Sequence, residues 1–466
     1  MNFEQKVLQF IMDEGLIQQK DRLLIACSGG VDSMALLTFF ERMKHHLEIE
    51  FMVAHVDHML RGEESAQDRI FVEAFCEERG IACISTAIPI PEILAAQGGN
   101  SQAVCREHRY RFFNEMLQKH SLNKLVTAHH ADDQLESILM ALAKAGTVNG
   151  LQGIQVKRPF AKHFVIRPFL MVTKEEIRTY LQQKDGSFRE DASNAKDDYT
   201  RNRFRHRIVP LLKQENENVA QHAVQFSLQL AQDDAYLQEL TQQAFDRIVI
   251  KNGEHSYKVA INSFQKEPLA LQRRLILILL NYLYNDKNLF QSQTLCTAIL
   301  NFFKNQNGSA MMNLPEHFVV RREYGNMFFE KEQPNMPIPQ QQLVLNDWNE
   351  LIGVRVYIGE TSQMAAPQSD QAQVYYFSAQ TVSFPISIRA RKQGDRMLLP
   401  GMERPKRVSR IFIDEKIPLA KRDECPLLVD VQQDVLAILG VRVSNKFSKH
   451  RRANDDYVLI IEQIAE

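Results

Sequence analysis

Ser28-Gly29-Gly30-Val31-Asp32-Ser33 combines two glycines, two hydroxyls and a carboxylate between an apolar run and a helix-period segment. The glycines let the backbone turn tightly and approach a ligand with no Cβ in the way. The helix start that follows offers unpaired N–H groups and the positive end of a dipole, an arrangement that suits phosphate. Ser28 and Ser33 add hydroxyl donors. No Lys follows the glycines, so this is not a Walker loop. A second cluster, His129-His130-Ala131-Asp132-Asp133-Gln134-Leu135-Glu136, sets Asp133 and Glu136 three apart at a helix start, where both carboxylates reach one ligand. Such oxygen ligands suit Mg²⁺ shared with phosphates, while the histidines leave zinc as an alternative. A third segment, His55-Val56-Asp57-His58, leads into Arg61-Gly62-Glu63-Glu64-Ser65.

These side chains need a scaffold, and the flanking pattern supplies one. Apolar runs at 22–26, 51–56, 81–85 and 124–128 alternate with helical periodicity at 31–44, 64–79 and 104–120. That alternation predicts an α/β fold with a doubly wound parallel sheet covered on both faces. All three motifs fall at carboxyl ends of strands, where such sheets bind ligands. Thr173 and Glu176 form a capping box that opens a helix over 174–184. Beyond Pro210, helical periodicity at 218–248, 269–284 and 292–303 predicts a helical domain, then a hairpin over 317–329 turning at Gly325-Asn326. Residues 333–342, rich in Pro and Gln, read as a linker. Apolar runs at 354–358, 374–377, 386–388, 427–431, 436–443 and 457–461 predict a small mixed α/β third domain. The expected division is 1–215, 216–332, a linker over 333–352, and 353–466.

Two arginine-bearing segments complete the set. In 103–113, Arg106, Arg109 and Tyr110 sit at helical spacing, with Phe112 and Phe113 facing inward. In 200–210, helical geometry places Arg201 with Arg205 and Arg203 with Arg207 in adjacent rows, a positive stripe suited to phosphate. Asp191-Ala192-Ser193-Asn194 precedes it.

Ser-Gly-Gly-x-Asp-Ser resembles the signature of the PP-loop ATP pyrophosphatases, which adenylate a substrate oxygen and release pyrophosphate. Within them, Arg106–Tyr110, the block from Asp191 to Pro210, and the stretches Arg391–Arg396, Pro400-Gly401 and Lys406–Phe412 are similar to the tRNA(Ile)-lysidine synthetases. The resemblance implies ATP and Mg²⁺ as cofactors, with free L-lysine and an isoleucine tRNA bearing a CAU anticodon as partners. The tRNA's wobble cytidine would be adenylated and then attacked by the lysine ε-amine. On this basis the 28–33 loop and His55 hold ATP, and Asp32 and Asp133 bind the metal. Asp133, Glu136, His129 and Arg109 are catalytic. Asp57, Arg61, Arg106, Arg201, Arg205, Arg207, Lys406, Arg407 and Arg410 contact tRNA or lysine.

The whole-chain balance, 56 Lys plus Arg against 57 Asp plus Glu, conceals an asymmetry. Residues 389–452 carry 16 basic against 8 acidic side chains, a local excess of +8 that leaves about -9 elsewhere, the footprint of a nucleic-acid partner. With 44% hydrophobic and 24% charged residues, disordered and collagen-like classes are excluded. The six cysteines are scattered with no Cys-x-x-Cys pair, which reads as reduced thiols in a cytoplasmic protein and argues against sulfur relay by a PP-loop tRNA thiolase. A non-catalytic, ATP-dependent tRNA binder is the other alternative. The amino terminus has no signal-peptide core, and no run approaches the ~18 apolar residues of a membrane span. Monomer and homodimer both stay open.

Overall fold

The computed structural model describes residues 1–144, 147–190, 200–284, 293–305, 309–332, 338–351, 353–367, 369, 371–417 and 420–464. The Asp191–Asn194 motif and the start of the expected linker lie outside them. The chain divides into two compact units, Met1–Tyr236 and Leu237–Glu466.

In the first unit the strands are β1 (Arg22–Ala26), β2 (Glu50–Asp57), β3 (Cys83–Ala87), β4 (Lys124–Val126), β5 (Lys157–Phe160) and β6 (His163–Ile166). They form one sheet in the order β3-β2-β1-β4-β6-β5. All neighbours run parallel except the β5–β6 hairpin at one edge. Leu23, Leu24 and Ile25 of β1 are fully buried, as expected of a strand covered on both sides. Period-2 alternation sorts their neighbours. Leu24, Ala54, Leu125 and Val165 pack with Phe112, Phe113 and Leu117 of one helix. Leu23, Ile25, Val53, Val126 and Ile166 share the other core with Leu36, Phe39, Ile177 and Leu181.

Up to residue 215 the helices are α1 (Phe3–Asp13), α2 (Val31–Met43), α3 (Glu63–Glu78), α4 (Ile90–Gln97), α5 (Ser101–Lys119), α6 (Ala131–Lys144), α7 (Val148–Leu151), α8 (Lys174–Gln183), α9 (Thr200–Arg203) and α10 (Val209–Glu215). The capping box of α8 is present, with Thr173 Oγ1 accepting from the Glu176 amide at 3.2 Å. A five-residue π-helix, Phe204–Ile208, joins α9 to α10. The third strand starts two residues later than expected because the Ile81 amide still donates to Cys76 at the end of α3.

In the second unit, helices at Leu269–Leu283 and Gln293–Lys304 pack on a five-stranded antiparallel sheet of which the sequence showed only one hairpin. That hairpin pairs Glu323 with Asn326, so it turns at Tyr324-Gly325, one residue earlier than expected. The basic region is built on antiparallel strands and carries a short α-helix, Val408–Asp414. Gln341–Gln342 and Asp347–Leu351 fall in the stretch expected as linker, yet both are strands. Leu343 is buried between them, and the Arg355 guanidinium stacks 4.8 Å from the Trp348 ring, so apolar burial overrides the Pro- and Gln-rich start.

Candidate active site

The sheet order reverses between β1 and β4, and the loops that leave their carboxyl ends carry two of the motifs. After β1, Gly29 adopts φ +89°, a conformation natural to glycine. Ser33 ties the loop together: its Oγ donates to the Gly30 carbonyl at 2.9 Å and accepts from the Ser28 amide at 3.1 Å. Gly30 is the N-cap of α2, and no side chain caps that helix start among the described residues. Its first amides therefore suit an incoming phosphate.

His55, at the end of β2, is 3% exposed. Its Nδ1–H donates to the Cys27 carbonyl at 2.9 Å, which leaves the buried Nε2 as an acceptor without a partner among the described residues. Burial holds its pKa below the ordinary histidine value. Asp57, also buried, accepts the Met59 amide at 2.8 Å and shapes the following turn.

After β4 the acidic cluster is compact. His130, 4% exposed, has Nε2 3.6 Å from Asp133 and 3.9 Å from Asp32, and Nδ1 3.6 Å from Asp132. Burial alone would lower its pKa, but the surrounding carboxylates, Asp133 foremost, outweigh burial and hold it above the usual value. His129 differs. Burial, reinforced by Arg167 and Arg201, pushes it down to about 4, so it is neutral near pH 7, with Nδ1 3.0 Å from Thr127 Oγ1.

Each carboxylate carries a cation. Lys174 Nζ lies 2.6 and 2.5 Å from the two Asp32 oxygens, and Lys213 pairs with Asp132. Glu136, 1% exposed, accepts from Arg201 Nε at 2.7 Å and from Arg205 Nε and Nη2 at 2.6 and 3.1 Å. Asp133 accepts from Arg201 and Arg205 at 3.0 and 3.1 Å. Against its burial, these partners and His130 hold the Asp133 carboxyl well below the usual range. Lys174, Lys213, Arg205, His130, Asp132 and Glu136 line a cavity of about 450 Å³.

The expected residues thus divide. The 28–33 loop, Asp32, His129, Asp133 and Glu136 converge on the carboxyl edge of the sheet. Arg201 and Arg205 converge there too, but on carboxylates rather than standing free for phosphate. Arg207 lies exposed in the π-helix. Arg61 is ion-paired with Asp68 at 2.9 Å. Arg106 and Arg109 lie on α5 with no ion pair among the described residues. In the second unit Lys406 and Arg410 pair with Asp414, while Arg407, with Arg391 and Lys392, lines a cavity of about 340 Å³.

Among the described residues no group of three or more His, Cys, Asp or Glu could hold a metal by itself. Asp32 and Asp133 both approach His130, and two carboxylates fit a Mg²⁺ completed by phosphate oxygens, not a protein-only cage. Lys174, at the start of α8, and Lys213, in the last turn of α10, carried no signal in the sequence.

Comparison with known proteins follows the same division. A PP-loop domain family matches residues 1–212, and the TilS substrate C-terminal domain matches residues 386–458. A tRNA(Ile)-lysidine synthase of Bacillus cereus (strain ATCC 14579) is 34% identical over 98% of this chain and 96% of its own. That of Bacillus subtilis (strain 168) is 36% identical over 94% of this chain and 93% of its own. A solved U34-tRNA thiolase from Methanococcus maripaludis with its [4Fe-4S] cluster covers 49% of this chain and 76% of that one, at 17% identity and a TM-score of 0.40, too slight a likeness to argue from.

Proposed function

The chain belongs to the tRNA(Ile)-lysidine synthase family, and from that premise we propose how its residues perform the ligation. The wobble cytidine of a CAU-anticodon isoleucine tRNA gives up its ring-carbon-2 oxygen. That oxygen attacks the α-phosphorus of ATP and pyrophosphate leaves. The ε-amine of free L-lysine then attacks carbon 2, loses a proton, and AMP departs with the oxygen. The modified base gains lysine less one water.

The observation that carries this reading is the convergence of the Ser28–Ser33 loop with Asp32, His129, Asp133 and Glu136 at one crevice. The loop amides and hydroxyls receive the nucleotide's phosphates, and His55, near the same end of the sheet, keeps its Nε2 as an acceptor without a partner among the described residues. Mg²⁺, when bound, would neutralise charge on the outer phosphates, with Asp32 and Asp133 as its protein ligands. Glu136 holds Arg201 and Arg205 beside the reacting centre, where preorganised guanidiniums stabilise charge that develops as pyrophosphate and AMP leave. Asp57, at the end of β2, holds the lysine ammonium until it is deprotonated, since both oxygens of Glu136 are committed to arginines. His129, neutral, serves as a hydrogen-bonding partner rather than a cation. The first unit carries out catalysis, and the basic C-terminal region adds affinity for tRNA. No helix among the described residues is long and apolar enough to cross a membrane, in keeping with a cytoplasmic enzyme.

The test is incubation with ATP, Mg²⁺, radiolabelled lysine and unmodified CAU-anticodon isoleucine tRNA. Label should enter the tRNA only when all components are present. Pyrophosphate release without incorporation of lysine would overturn the second step.

A further inference from the structure

With Arg201 and Arg205 committed to Asp133 and Glu136, unpaired positive charge in the first unit lies elsewhere. The Arg106 guanidinium sits 4.9 Å from the centroid of the Tyr110 ring, one helical turn along α5. Arg158 of β5 sits 5.1 Å from the same ring and 5.8 Å from Phe160, which meets Tyr110 edge-on at 5.3 Å. Arg167, 4% exposed, donates Nη1 to the Gln155 carbonyl, while its buried Nε has no partner among the described residues. Arg109 lies next to Tyr110 in the chain. Among the described residues none of these four guanidiniums has a carboxylate partner.

Gathering like charges with one of them buried and no carboxylate partner among the described residues is unfavourable for a protein alone. The cost shows in Arg167, which burial and then the neighbouring Arg158 and Arg106 push down to about 10. A bound anion removes it. The interleaving of guanidinium planes with aromatic rings identifies which anion. Single-stranded RNA is held by stacking of bases on rings and arginines, with its backbone tracked by cations. The adjoining β5–β6 hairpin extends the pattern, with Lys157 Nζ 4.9 Å from the ring of Phe164, itself 40% exposed. Position agrees as well. Arg167 directly follows β6, the parallel neighbour of β4, and β4 leads into His129.

We propose that Arg106, Tyr110 and Arg158, with the buried Arg167 adding positive charge behind them, form a platform for the backbone phosphates of a single-stranded RNA segment, the stretch of tRNA flanking the base that enters the crevice. The proposal rests on the tRNA reading above and moves the RNA contact of this unit from the 200–207 arginines to α5 and the edge hairpin.

The full-length protein tests it, with a fluorescent anticodon stem-loop RNA of the CAU isoleucine tRNA and anisotropy at several salt concentrations. Arg106→Gln/Arg158→Gln should weaken RNA binding at least tenfold. It should also flatten the plot of log affinity against log salt by about 1.4, roughly 0.7 for each single-strand phosphate that is no longer neutralised. In steady state the KM for tRNA should rise, with the KM for lysine unchanged. Arg158→Lys should restore most of the salt slope. Arg106 is exposed, so Arg106→Gln alone keeps the test intact should the double variant misfold, and half the slope change is then expected. Unchanged RNA affinity and slope in a folded variant would overturn the proposal. So would a rise confined to the KM for lysine, which would assign the cluster to the amino acid's carboxylate. If the wild-type protein itself neither binds nor modifies this RNA, the tRNA reading has failed, not the platform alone.

Discussion

Replacing Glu136 by Gln removes one charge while preserving shape, and the structure sets the size of the effect. Glu136 accepts three hydrogen bonds from Arg201 and Arg205 at 2.6–3.1 Å and is 1% exposed. A glutamine with its oxygen at the Oε2 position still accepts from Arg201 Nε and Arg205 Nη2 but turns its NH₂ toward Arg205 Nε, so one bond is lost and the other two lose their anionic acceptor. At about 1.5–3 kcal/mol for the lost charge-assisted bond and about 1 kcal/mol for weakening each of the other two, the ceiling is ~5 kcal/mol. The arginine side chains are 39% and 36% exposed, so water recovers part of the loss, and Asp133 still holds one charge between them. That reduces the expected destabilisation to about 2–3 kcal/mol, or roughly 5–10 °C in Tm for a unit of this size. Because the arginines lose their placement at the crevice, tRNA-dependent pyrophosphate release should fall about a hundredfold, or ~2.7 kcal/mol at the barrier. A double-mutant cycle with Arg205→Gln should return a coupling of about 1–2 kcal/mol. The assays are thermal melting and pyrophosphate release with cognate tRNA. An unchanged melt, no coupling and near-normal release would refute the reasoning.

Lys174→Met frees Asp32 from a competing ammonium, so the Mg²⁺ concentration giving half-maximal pyrophosphate release should drop about two- to fivefold, the worth of a partly exposed ion pair; a rise would place Lys174 on the phosphates instead. Gly29→Ala meets only ordinary contact, Val72 Cγ2 at 3.5 Å, so its cost is that of a Cβ at φ +89°, about 1–2 kcal/mol. The measurements are the melt and the KM for ATP, which should rise; no change in either would remove the loop from phosphate binding. Acid should destabilise the first unit through His129 and His58, both pushed down to about 4 by burial. Between pH 4 and an unfolded value of about 6.5 the unfolded chain binds protons the folded one refuses, so stability falls as pH drops through that window, and His129→Asn should flatten a series of melts taken across it. Truncation after about residue 333 should weaken tRNA binding far more than ATP binding and reduce its salt dependence, since each neutralised phosphate releases condensed cations; equal salt slopes for both proteins would contradict a role for the basic region.

The chemistry was legible where it is local. The Ser28–Ser33 loop, the Asp133–Glu136 spacing and the Thr173–Glu176 capping box each lie within one short segment, and the alternation of strands and helices positioned them. What remained hidden is pairing across the chain. Nothing near Lys174 reveals that it meets Asp32, and helical periodicity cannot tell whether Arg201 and Arg205 face phosphate or Glu136. The β5–β6 hairpin escaped because its four-residue strands include Pro159 and sit at a sheet edge, without the continuous apolar run that marked β1. The middle sheet went unread apart from one hairpin for the same reason: Ser309–Asn313 and Tyr257–Ala260 are short and only partly buried.

The central claim is that this crevice ligates lysine to a cytidine, and mass spectrometry of nuclease-digested tRNA tests it most directly. After reaction with ATP, Mg²⁺ and lysine, the CAU-anticodon isoleucine tRNA should yield one cytidine heavier by lysine less one water. The CAU-anticodon methionine tRNA should remain largely unmodified. An unmodified isoleucine tRNA despite bound ATP, or a nucleoside carrying sulfur instead, would contradict the account.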